Sequence, residues 1–332
     1  MTMSYKPSIG LIGCGDWGKN IGRTLANMGV LGAIVDPTDR ARALAEEFHV
    51  PNVTLESLLS MGTLQGVVIA TPTPTHFPLA QHVLKSGKGV LIEKPMAADG
   101  DEIRALYQQA KARGLTLMAG HLLLYHGAFQ QICALVHKGE LGQILHVESC
   151  RKNLGKIHAH EGVLWDLGPH DFSMMITLLQ GMPQRIFSEA FTHIYAGKPD
   201  VQKVMMEYGT GCLAEIHLSR IHPEKEHKLT VIGTEGALVF DDTLGWDHKV
   251  TFFPRSFERG SSVLSKGDPY PLSLSASQPL QQELQHFIDC LSQGTTPLSS
   301  ALQAHHVLNL IQTAEQSAHQ KQWITLKEDT LE

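Results

Sequence analysis

The sequence is poor in cysteine, and its cysteines match no disulfide or metal pattern. Five of them are scattered along 332 residues, and no two stand in a C-x-x-C arrangement. An odd and dispersed set predicts neither a disulfide framework nor a zinc knuckle. The 19 histidines lack companion cysteines or carboxylates at a familiar ligand spacing, so we expect no metal site. The scattered thiols favour a reducing cytoplasm as the location.

Long hydrophobic runs and blocks of like charge are also missing. No stretch approaches the roughly 20 apolar residues that a membrane span requires. Lys and Arg number 27 against 33 Asp and Glu, which gives a net charge of -6, and no run of positive charge forms a basic face. The composition therefore predicts a soluble globular protein and argues against membrane and nucleic-acid partners.

The order of apolar segments predicts two domains of different architecture, as a length of 332 residues allows. Residues 8 to about 120 alternate short apolar runs with segments of helical period, which is typical of an α/β protein with a doubly wound parallel sheet. Later residues contain strand-like runs joined by turn signals, which indicate a large, mostly antiparallel open sheet with helices on one face. We predict a Rossmann domain over 1–121 and an α+β domain over 122–332. The open sheet predicts a homo-oligomer, a dimer or a tetramer.

A glycine-rich segment follows the first predicted strand and opens a helix. Its residues are Gly13-Cys14-Gly15-Asp16-Trp17-Gly18, a G-x-G-x-x-G pattern whose backbone N–H groups and helix dipole can hold a pyrophosphate. Asp36 ends the second predicted strand, where a carboxylate binds the adenosine ribose hydroxyls and repels a 2′-phosphate. We therefore predict a dinucleotide site that prefers NAD to NADP. NADP stays the alternative because Arg40 lies near Asp36 in the sequence.

Two further segments end predicted strands at the same edge of the sheet. The first contains Thr71, Pro72, Thr73 and His76, and a rigid turn is the alternative to a cofactor contact there. The second is Glu93-Lys94-Pro95, which places a lysine beside the expected nicotinamide. A cis bond before the proline would direct the ammonium into the cleft.

An aspartate and a histidine stand four residues apart on a later predicted helix. Asp166 and His170 therefore share one face and can point into a single cleft. Oxidation of a secondary alcohol needs a base for the hydroxyl proton, and histidine titrates near neutral pH. The Lys94 ammonium can polarise the oxygen and stabilise alkoxide charge. Whether Lys94 or His170 is the base stays open.

These motifs occur in the order found in the glucose-fructose oxidoreductase/inositol dehydrogenase (Gfo/Idh/MocA) family, and the chain resembles that family over essentially its whole length. The resemblance implies a Rossmann domain followed by an α/β domain whose open sheet often mediates oligomerisation. It implies that Lys94 contacts nicotinamide ribose and substrate, that His121 is a cofactor contact, and that Asp166 and His170 form the family's Asp-x-x-x-His pair.

A narrower resemblance links three segments, 120–126, 151–157 and 163–166, to enzymes of nucleotide-linked sugars such as the UDP-N-acetylglucosaminuronate 3-dehydrogenases. It implies a set of substrate contacts, namely Tyr125, Arg151, Asn153, His158, Trp165 and His170. The chain departs from the subgroup at His158, where an arginine is common, so the uronate is less certain than the sugar nucleotide. A free sugar or cyclitol substrate, or a non-catalytic NAD-binding regulator, are the alternatives.

Overall fold

The computed structural model describes residues 8–156, 161–257, 264–327 and 331. They form two compact units. The first unit contains residues 8–125 and 278–305, and the second contains residues 126–277 and 306–327 apart from the gaps just given. Within the described residues, no helix is long and apolar enough to cross a membrane.

The first unit is built on a parallel sheet with helices around it. The five strands of its described part are β1 Ser8–Ile12, β2 Leu31–Val35, β3 Leu64–Ile69, β4 Gly89–Glu93 and β5 Leu117–Gly120. They pair in the order β2-β1-β3-β4-β5, and every pair is parallel. The helices between them are α1 Gly18–Asn27, α2 Asp39–Phe48, α3 Leu55–Ser60, α4 His76–Lys85 and α5 Gly100–Arg113. The predicted doubly wound fold is confirmed.

Local chemistry explains where these elements begin and end. The side chain of Asp99 accepts a hydrogen bond from Glu102 N and caps the start of α5. Gly114 closes that helix in the left-handed conformation with φ 63°. The next strand begins at Leu117 rather than at the predicted Leu115, because Leu115 N still donates to Ala110 O at 3.0 Å and completes the helix end.

The second unit is built on a larger sheet. Its described strands are β6 Ile144–Leu154, β7 Arg185–Phe191, β8 Val201–Glu207, β9 Leu213–Ser219, β10 Ile221–Gly233, β11 Gly236–Asp241, β12 Val250–Phe257, β13 Leu264–Lys266, β14 Tyr270–Pro271 and β15 Ile324–Thr325. They follow the order β13-β12-β11-β10-β6-β9-β8-β7-β15, with β14 beside β12. Among these pairs β6 and β9 are parallel, and the others are antiparallel. The predicted mostly antiparallel sheet is confirmed.

Two helices belong wholly to this unit, α6 Gly127–His137 and α7 Val163–Leu179. α7 packs its buried side, which includes Leu167 and Phe172, toward β8 and β9. β7 ends at Phe191, short of the predicted Tyr195. The reason is that the Asp200 carboxylate accepts hydrogen bonds from the backbone N–H groups of the two residues His193 and Ile194, which forms a turn there.

The last two helices are α8 Pro279–Gln293 and α9 Ala301–Gln320. α8 packs within the first unit, whereas the sequence analysis placed all of 122–332 in one domain. Gly66 explains this packing, since a Cβ there would lie 2.6 Å from Leu291 Cδ1 and 2.9 Å from Phe287 Cζ. The missing side chain on β3 therefore leaves the space that the apolar face of α8 fills.

Gly233, at the end of β10, generates a prediction about the second sheet. The pairing of β10 with β6 shifts register there, and a Cβ on Gly233 would collide with the backbone carbonyl of Leu141. Gly233→Ala should lower the free energy of unfolding by about 1–3 kcal/mol, the usual cost of overpacking. Urea unfolding measures the change.

Gly245→Ala is the matched control in the same unit. Gly245 is exposed, and no described heavy atom lies within 4 Å of its Cβ position. We expect this change to stay within about 0.5 kcal/mol of the parent, as for ordinary surface substitutions. Equal unfolding midpoints for the two variants would contradict the close approach at Gly233.

Candidate active site

In the glycine loop between β1 and α1, the two end glycines lie against other backbone atoms, whereas the middle glycine does not. Gly13 has φ 96°, and a Cβ on it would lie 2.6 Å from the carbonyl oxygen of Ala70. A Cβ on Gly18 would collide with the carbonyl oxygen of Gly13. By contrast, no described atom lies within 4 Å of the Cβ position of Gly15. The loop thus presents bare backbone at Gly15 beside the N-terminus of α1, which fits the approach of a dinucleotide diphosphate.

Asp36 follows β2 and is held by three hydrogen bonds. Its Oδ2 accepts from Cys14 N at 2.7 Å, and its Oδ1 accepts from Thr38 N at 2.8 Å and from Thr38 Oγ1 at 2.6 Å. Partial burial opposes ionisation, but these bonds and the nearby Arg40 keep the pKa of Asp36 below its ordinary value. Arg40 itself donates to Asp16 Oδ1 at 3.3 Å on the surface. Asp36 is therefore a fixed negative charge at the end of the second strand.

The segment after β3 is braced by its own side chains. Thr75 Oγ1 donates to the backbone oxygen of Pro72, at 2.7 Å, and also lies 2.7 Å from Thr71 Oγ1. His76 is buried, with Nε2 at 2.7 Å from Thr71 O and Nδ1 at 2.9 Å from Pro95 O. Burial lowers the pKa of His76. Both ring nitrogens face carbonyl oxygens, so His76 joins the loop after β3 to the loop after β4.

Glu93 links the glycine loop to the turn that carries Lys94. Trp17 Nε1 donates to Glu93 Oε1 at 2.6 Å, and Lys94 N donates to Glu93 Oε2 at 3.3 Å. Burial raises the pKa of Glu93, and these donors and the Lys94 charge oppose that rise. The Lys94–Pro95 peptide bond is cis, as the sequence analysis considered. The predicted cofactor residues Trp17, Glu93 and Lys94 are thus brought together in the first unit.

His121 and Tyr125, which follow β5, lie in the interior of the first unit. The Nδ1 atom of His121 lies 3.1 Å from Gln303 Oε1, and burial lowers the pKa of His121 to about 4, so the imidazole is neutral at pH 7. The Tyr125 hydroxyl lies 2.8 Å from Ser299 Oγ, and Tyr125 is buried. Ser299 is thus a partner of the Tyr125 hydroxyl inside the unit, and the substrate contact that the resemblance implies for Tyr125 stays a prediction.

Glu283 is a residue that the sequence analysis missed. It lies on α8, is 1% exposed, and its Oε1 has no hydrogen-bond partner in the described part of the chain. Burial, together with the Glu93 charge, raises the pKa of Glu283 well above its ordinary value. The available signal was its position four residues before Phe287, which puts a carboxylate on the apolar face of a helix.

In the second unit, Arg151 forms a buried ion pair with Asp171 of α7. Arg151 Nε lies 2.8 Å from Asp171 Oδ2 and Nη2 lies 3.1 Å from Oδ1, while Ser149 Oγ donates to Oδ1 at 2.6 Å. The side chains of Asp171 and Arg151 are 0% and 9% exposed. The Arg151 guanidinium therefore holds α7 against β6 inside the unit. The substrate contact that the resemblance implies for Arg151 stays a prediction.

Asp166 and His170 lie on α7, four residues apart on its half-buried side. The Asp166 carboxylate forms an ion pair with Arg220, which the sequence analysis did not single out. Trp165 precedes Asp166 and is also half-buried. Asn153, near the end of β6, has a buried Oδ1 with no hydrogen-bond partner among the described residues. The structure thus places Asp166 and His170 on one helix, as the sequence predicts, and their catalytic role stays a prediction. His158 lies outside the described residues.

Comparison with known proteins identifies the family. Residues 8–121 match the model of an oxidoreductase family with an NAD-binding Rossmann fold, GFO/IDH/MocA, and residues 129–239 match the C-terminal domain of that family. The scyllo-inositol 2-dehydrogenase (NAD(+)) of Bacillus subtilis (strain 168) is 26% identical over 281 residues, which cover 80% of this chain and 79% of that protein.

Two further matches concern one enzyme of Acidithiobacillus ferrooxidans. Its UDP-N-acetylglucosamine 3-dehydrogenase is 28% identical over 227 residues, covering 67% of this chain and 70% of that protein. A solved structure of this dehydrogenase, GnnA, superposes with a TM-score of 0.83 at 22% identity and covers 94% of this chain and 98% of that chain, a likeness of fold alone. The chain belongs to the Gfo/Idh/MocA family of oxidoreductases with an NAD-binding Rossmann fold.

Proposed function

We propose that this oxidoreductase oxidises a ring hydroxyl of a sugar, at the 3-position of a UDP-linked N-acetyl amino sugar or its uronate, with NAD as the hydride acceptor. The observation that carries the proposal is the arrangement at the edge of the first sheet, where Glu93 joins Lys94 to the open glycine loop. The name of the Acidithiobacillus ferrooxidans relative supports the nucleotide sugar. We propose a homo-oligomer, from the open sheet, and a cytoplasmic location.

The cofactor site uses backbone at one end and a carboxylate at the other. We assign the diphosphate to the backbone at Gly13, Gly15 and Gly18, and the adenosine ribose to Asp36. Bound NAD supplies the hydride acceptor. The ionised Asp36 favours NAD over NADP because it repels a 2′-phosphate, while Arg40 is turned to Asp16.

We assign the chemistry at the substrate hydroxyl to Lys94 and His170. The Lys94 ammonium polarises the hydroxyl oxygen and stabilises negative charge that develops on it. The proton leaves to His170 or to Lys94 in its neutral form, and the pH profiles of the variants below separate these two assignments. Asp166 is paired with Arg220 and is not the proton acceptor in this scheme.

A second candidate substrate is a free cyclitol. The Bacillus subtilis relative, named as a scyllo-inositol 2-dehydrogenase, favours it over other polyols. The chemistry at the hydroxyl is the same for both candidates. A panel of UDP-N-acetylglucosaminuronate, UDP-N-acetylglucosamine and scyllo-inositol therefore separates them by which compound reduces NAD. A non-catalytic regulator would reduce NAD with none of them.

The first prediction from the proposed function concerns Lys94 and His170. Lys94→Met and His170→Asn should each lower kcat by about 10²–10⁴-fold, the usual contribution of general acid–base groups, while NAD still binds. The absorbance of NADH gives kcat, and fluorescence titration gives the Kd of NAD. If His170 is the base, the acidic limb of the kcat/KM profile vanishes in His170→Asn and persists in Lys94→Met.

Exposed residues of the same types provide matched controls. Lys85 ends α4 and His319 lies near the end of α9, and both are exposed. Lys85→Met and His319→Asn should keep the parent kcat. Full turnover in both Lys94→Met and His170→Asn would rule out the proposed chemistry.

The second prediction separates the two tasks of the glycine loop. Gly15→Ala should leave the free energy of unfolding unchanged, because its Cβ meets no described atom, yet weaken NAD binding by about tenfold or more by blocking backbone approach. Gly18→Ala should lower stability as well, because its Cβ collides with Gly13 O. Urea unfolding and calorimetric titration with NAD measure both. An unaltered NAD Kd in Gly15→Ala would contradict the site.

The third prediction tests the choice of cofactor. Asp36→Asn keeps an acceptor for Cys14 N but removes the charge that repels a 2′-phosphate. The ratio of kcat/KM for NAD to that for NADP should fall about tenfold, which corresponds to roughly 1.4 kcal/mol. Asp39→Asn, on the exposed start of α2, is the control and should keep the parent ratio. An unchanged ratio in Asp36→Asn would mean that another group selects the cofactor.

A further inference from the structure

Contacts at two places along α8 show how this helix lies on the sheet of the first unit. A Cβ on Gly89, at the start of β4, would collide with Leu291, which lies near the end of α8. Tyr125, which follows the carboxyl end of β5, lies against an earlier turn of α8, with its ring centroid 5.3 Å from that of His286. Burial and the Glu283 charge raise the pKa of Tyr125, so Glu283 is near it. α8 therefore runs from the carboxyl edge of the sheet towards its amino edge, opposite in direction to β4.

Glu283 and Glu93 face each other at the carboxyl edge of this sheet. Glu283 precedes Leu291 by eight residues, so both lie on one side of the helix, about 12 Å apart along its axis. Glu93 follows Gly89 by four residues, so both point to one side of the sheet, about 13 Å apart along the strand. These similar spacings bring the two carboxyl groups together, and the negative charge of Glu93 accordingly acts on Glu283.

The two carboxyl groups differ in the donors that reach them. Glu93 accepts hydrogen bonds from Trp17 Nε1 at 2.6 Å and from Lys94 N at 3.3 Å. Glu283 is 1% exposed, and its Oε1 has no hydrogen-bond partner in the described part of the chain. Of two neighbouring buried carboxyl groups, one keeps its proton. The donors to Glu93 favour its ionised form, so the proton belongs on Glu283.

The other titratable side chains around the pair, among the described residues, come from the loops after β4 and β5 and from α8 itself: Lys94, His121, Tyr125, His286 and Cys290. Burial lowers the pKa of His121 to about 4 and also lowers the pKa of His286. Burial raises the pKa values of Tyr125 and Cys290. These four groups are therefore neutral at pH 7, and Lys94 is the cation beside Glu93. α1 adds the neutral donor of Trp17 at its start.

We propose that Glu283 is a positioning residue for Lys94, which holds a proton and donates it in a hydrogen bond to Glu93. A protonated carboxyl is a donor, so it satisfies Glu93 without adding a second negative charge. Glu93 then holds the turn that carries Lys94 and the glycine loop at Trp17 together. This inference rests on the proposed function for the catalytic role of Lys94, whereas the proton on Glu283 belongs to the first unit itself.

Infrared spectroscopy of the parent protein at pH 7 tests the proton on Glu283. Ordinary carboxyl groups are ionised at this pH, so a carboxylic acid gives a separate C=O stretching band that shifts in D2O. The band should be present in the parent and absent in Glu283→Gln. If Glu283→Gln does not fold, Glu283→Asp, which keeps the acid on a shorter side chain, should move the band. Absence of the band from the parent, or its persistence in Glu283→Gln, would overturn the proposal.

The fluorescence of Trp17 tests the link from Glu283 to the glycine loop, with neither cofactor nor substrate present. When the pH rises and Glu283 ionises, its charge should repel Glu93 and disturb the bond to Trp17 Nε1. The parent should therefore show a step in tryptophan emission with pH, and Trp17→Phe should lose it. Glu283→Gln should lose it too, because its side chain cannot ionise. A step of equal size in Glu283→Gln would contradict the link.

Turnover tests whether the pair positions Lys94, with the compound of the panel above that reduces NAD. Glu283→Leu removes the donor to Glu93 and should lower kcat about tenfold or more, because a displaced catalytic group slows the reaction. Glu283→Gln keeps a donor and should recover most of that loss. As the pH rises, kcat of the parent should begin to fall at a lower pH than kcat of Glu283→Gln. A side chain that only fills space would give neither the recovery nor the difference in pH profile.

Glu46→Gln is the matched control for all three measurements. Glu46 is exposed on α2 of the same unit. Its replacement should leave the infrared band, the fluorescence step and kcat as they are in the parent.

The infrared and fluorescence measurements need no turnover, which separates this inference from the proposed function. A protein that shows the band and the step, yet reduces NAD with no compound of the panel, retains the link between Glu283 and the glycine loop and loses the proposed reaction. A protein that oxidises a sugar with equal kcat in the parent and in Glu283→Leu retains the reaction and loses the positioning role.

Discussion

The Arg151–Asp171 ion pair is the interaction on which the candidate site of the second unit depends. Both side chains are buried, so each charge needs the other, and removal of one partner from such a pair typically costs about 3–5 kcal/mol. Asp171 follows His170 directly on α7, and Arg151 lies on β6. The pair therefore sets the rotation of α7 about its axis and, with it, the direction of the half-buried side that carries Asp166 and His170.

In the first unit, hydrogen bonds between side chains and neighbouring loops hold the surroundings of Lys94 in place. The carboxyl ends of parallel strands meet at one sheet edge, so the loops after β1, β3 and β4 are neighbours. Trp17 and Glu93 connect the first loop with the third, and His76 connects the second with the third. Loops are otherwise the most mobile parts of a domain. These bonds make the surroundings of Lys94 a single network, as the role proposed for Lys94 requires, because a group that acts on substrate must hold its position.

The fold was predictable because its signals are local, whereas much of the site depends on contacts between distant residues. Apolar runs of strand length and turn signals between them identified both sheets, and the glycine loop was evident from its spacing. The partner of Asp166 could not be predicted, because Arg220 follows β9 and comes near Asp166 through the packing of α7 against β9. The same limit applies to the partner of Arg151, because Asp171 lies on α7 and meets Arg151 through the packing of that helix on the sheet. The packing of α8 within the first unit depends on the absence of a side chain at Gly66. The hydrophobic periodicity of the sequence does not reveal such a contact.

The buried Glu283 couples folding of the first unit to protons. In the unfolded chain this carboxyl releases its proton near its ordinary pKa of 4.5, whereas in the folded unit the pKa lies well above that value. Between the two values the folded state binds more protons than the unfolded state, so folding takes up a proton and the free energy of unfolding decreases as the pH rises. The contribution of Glu283 is therefore greatest at acid pH and is lost as the pH rises, which is opposite in sign to the contribution of Asp36, whose pKa is lowered in the same unit.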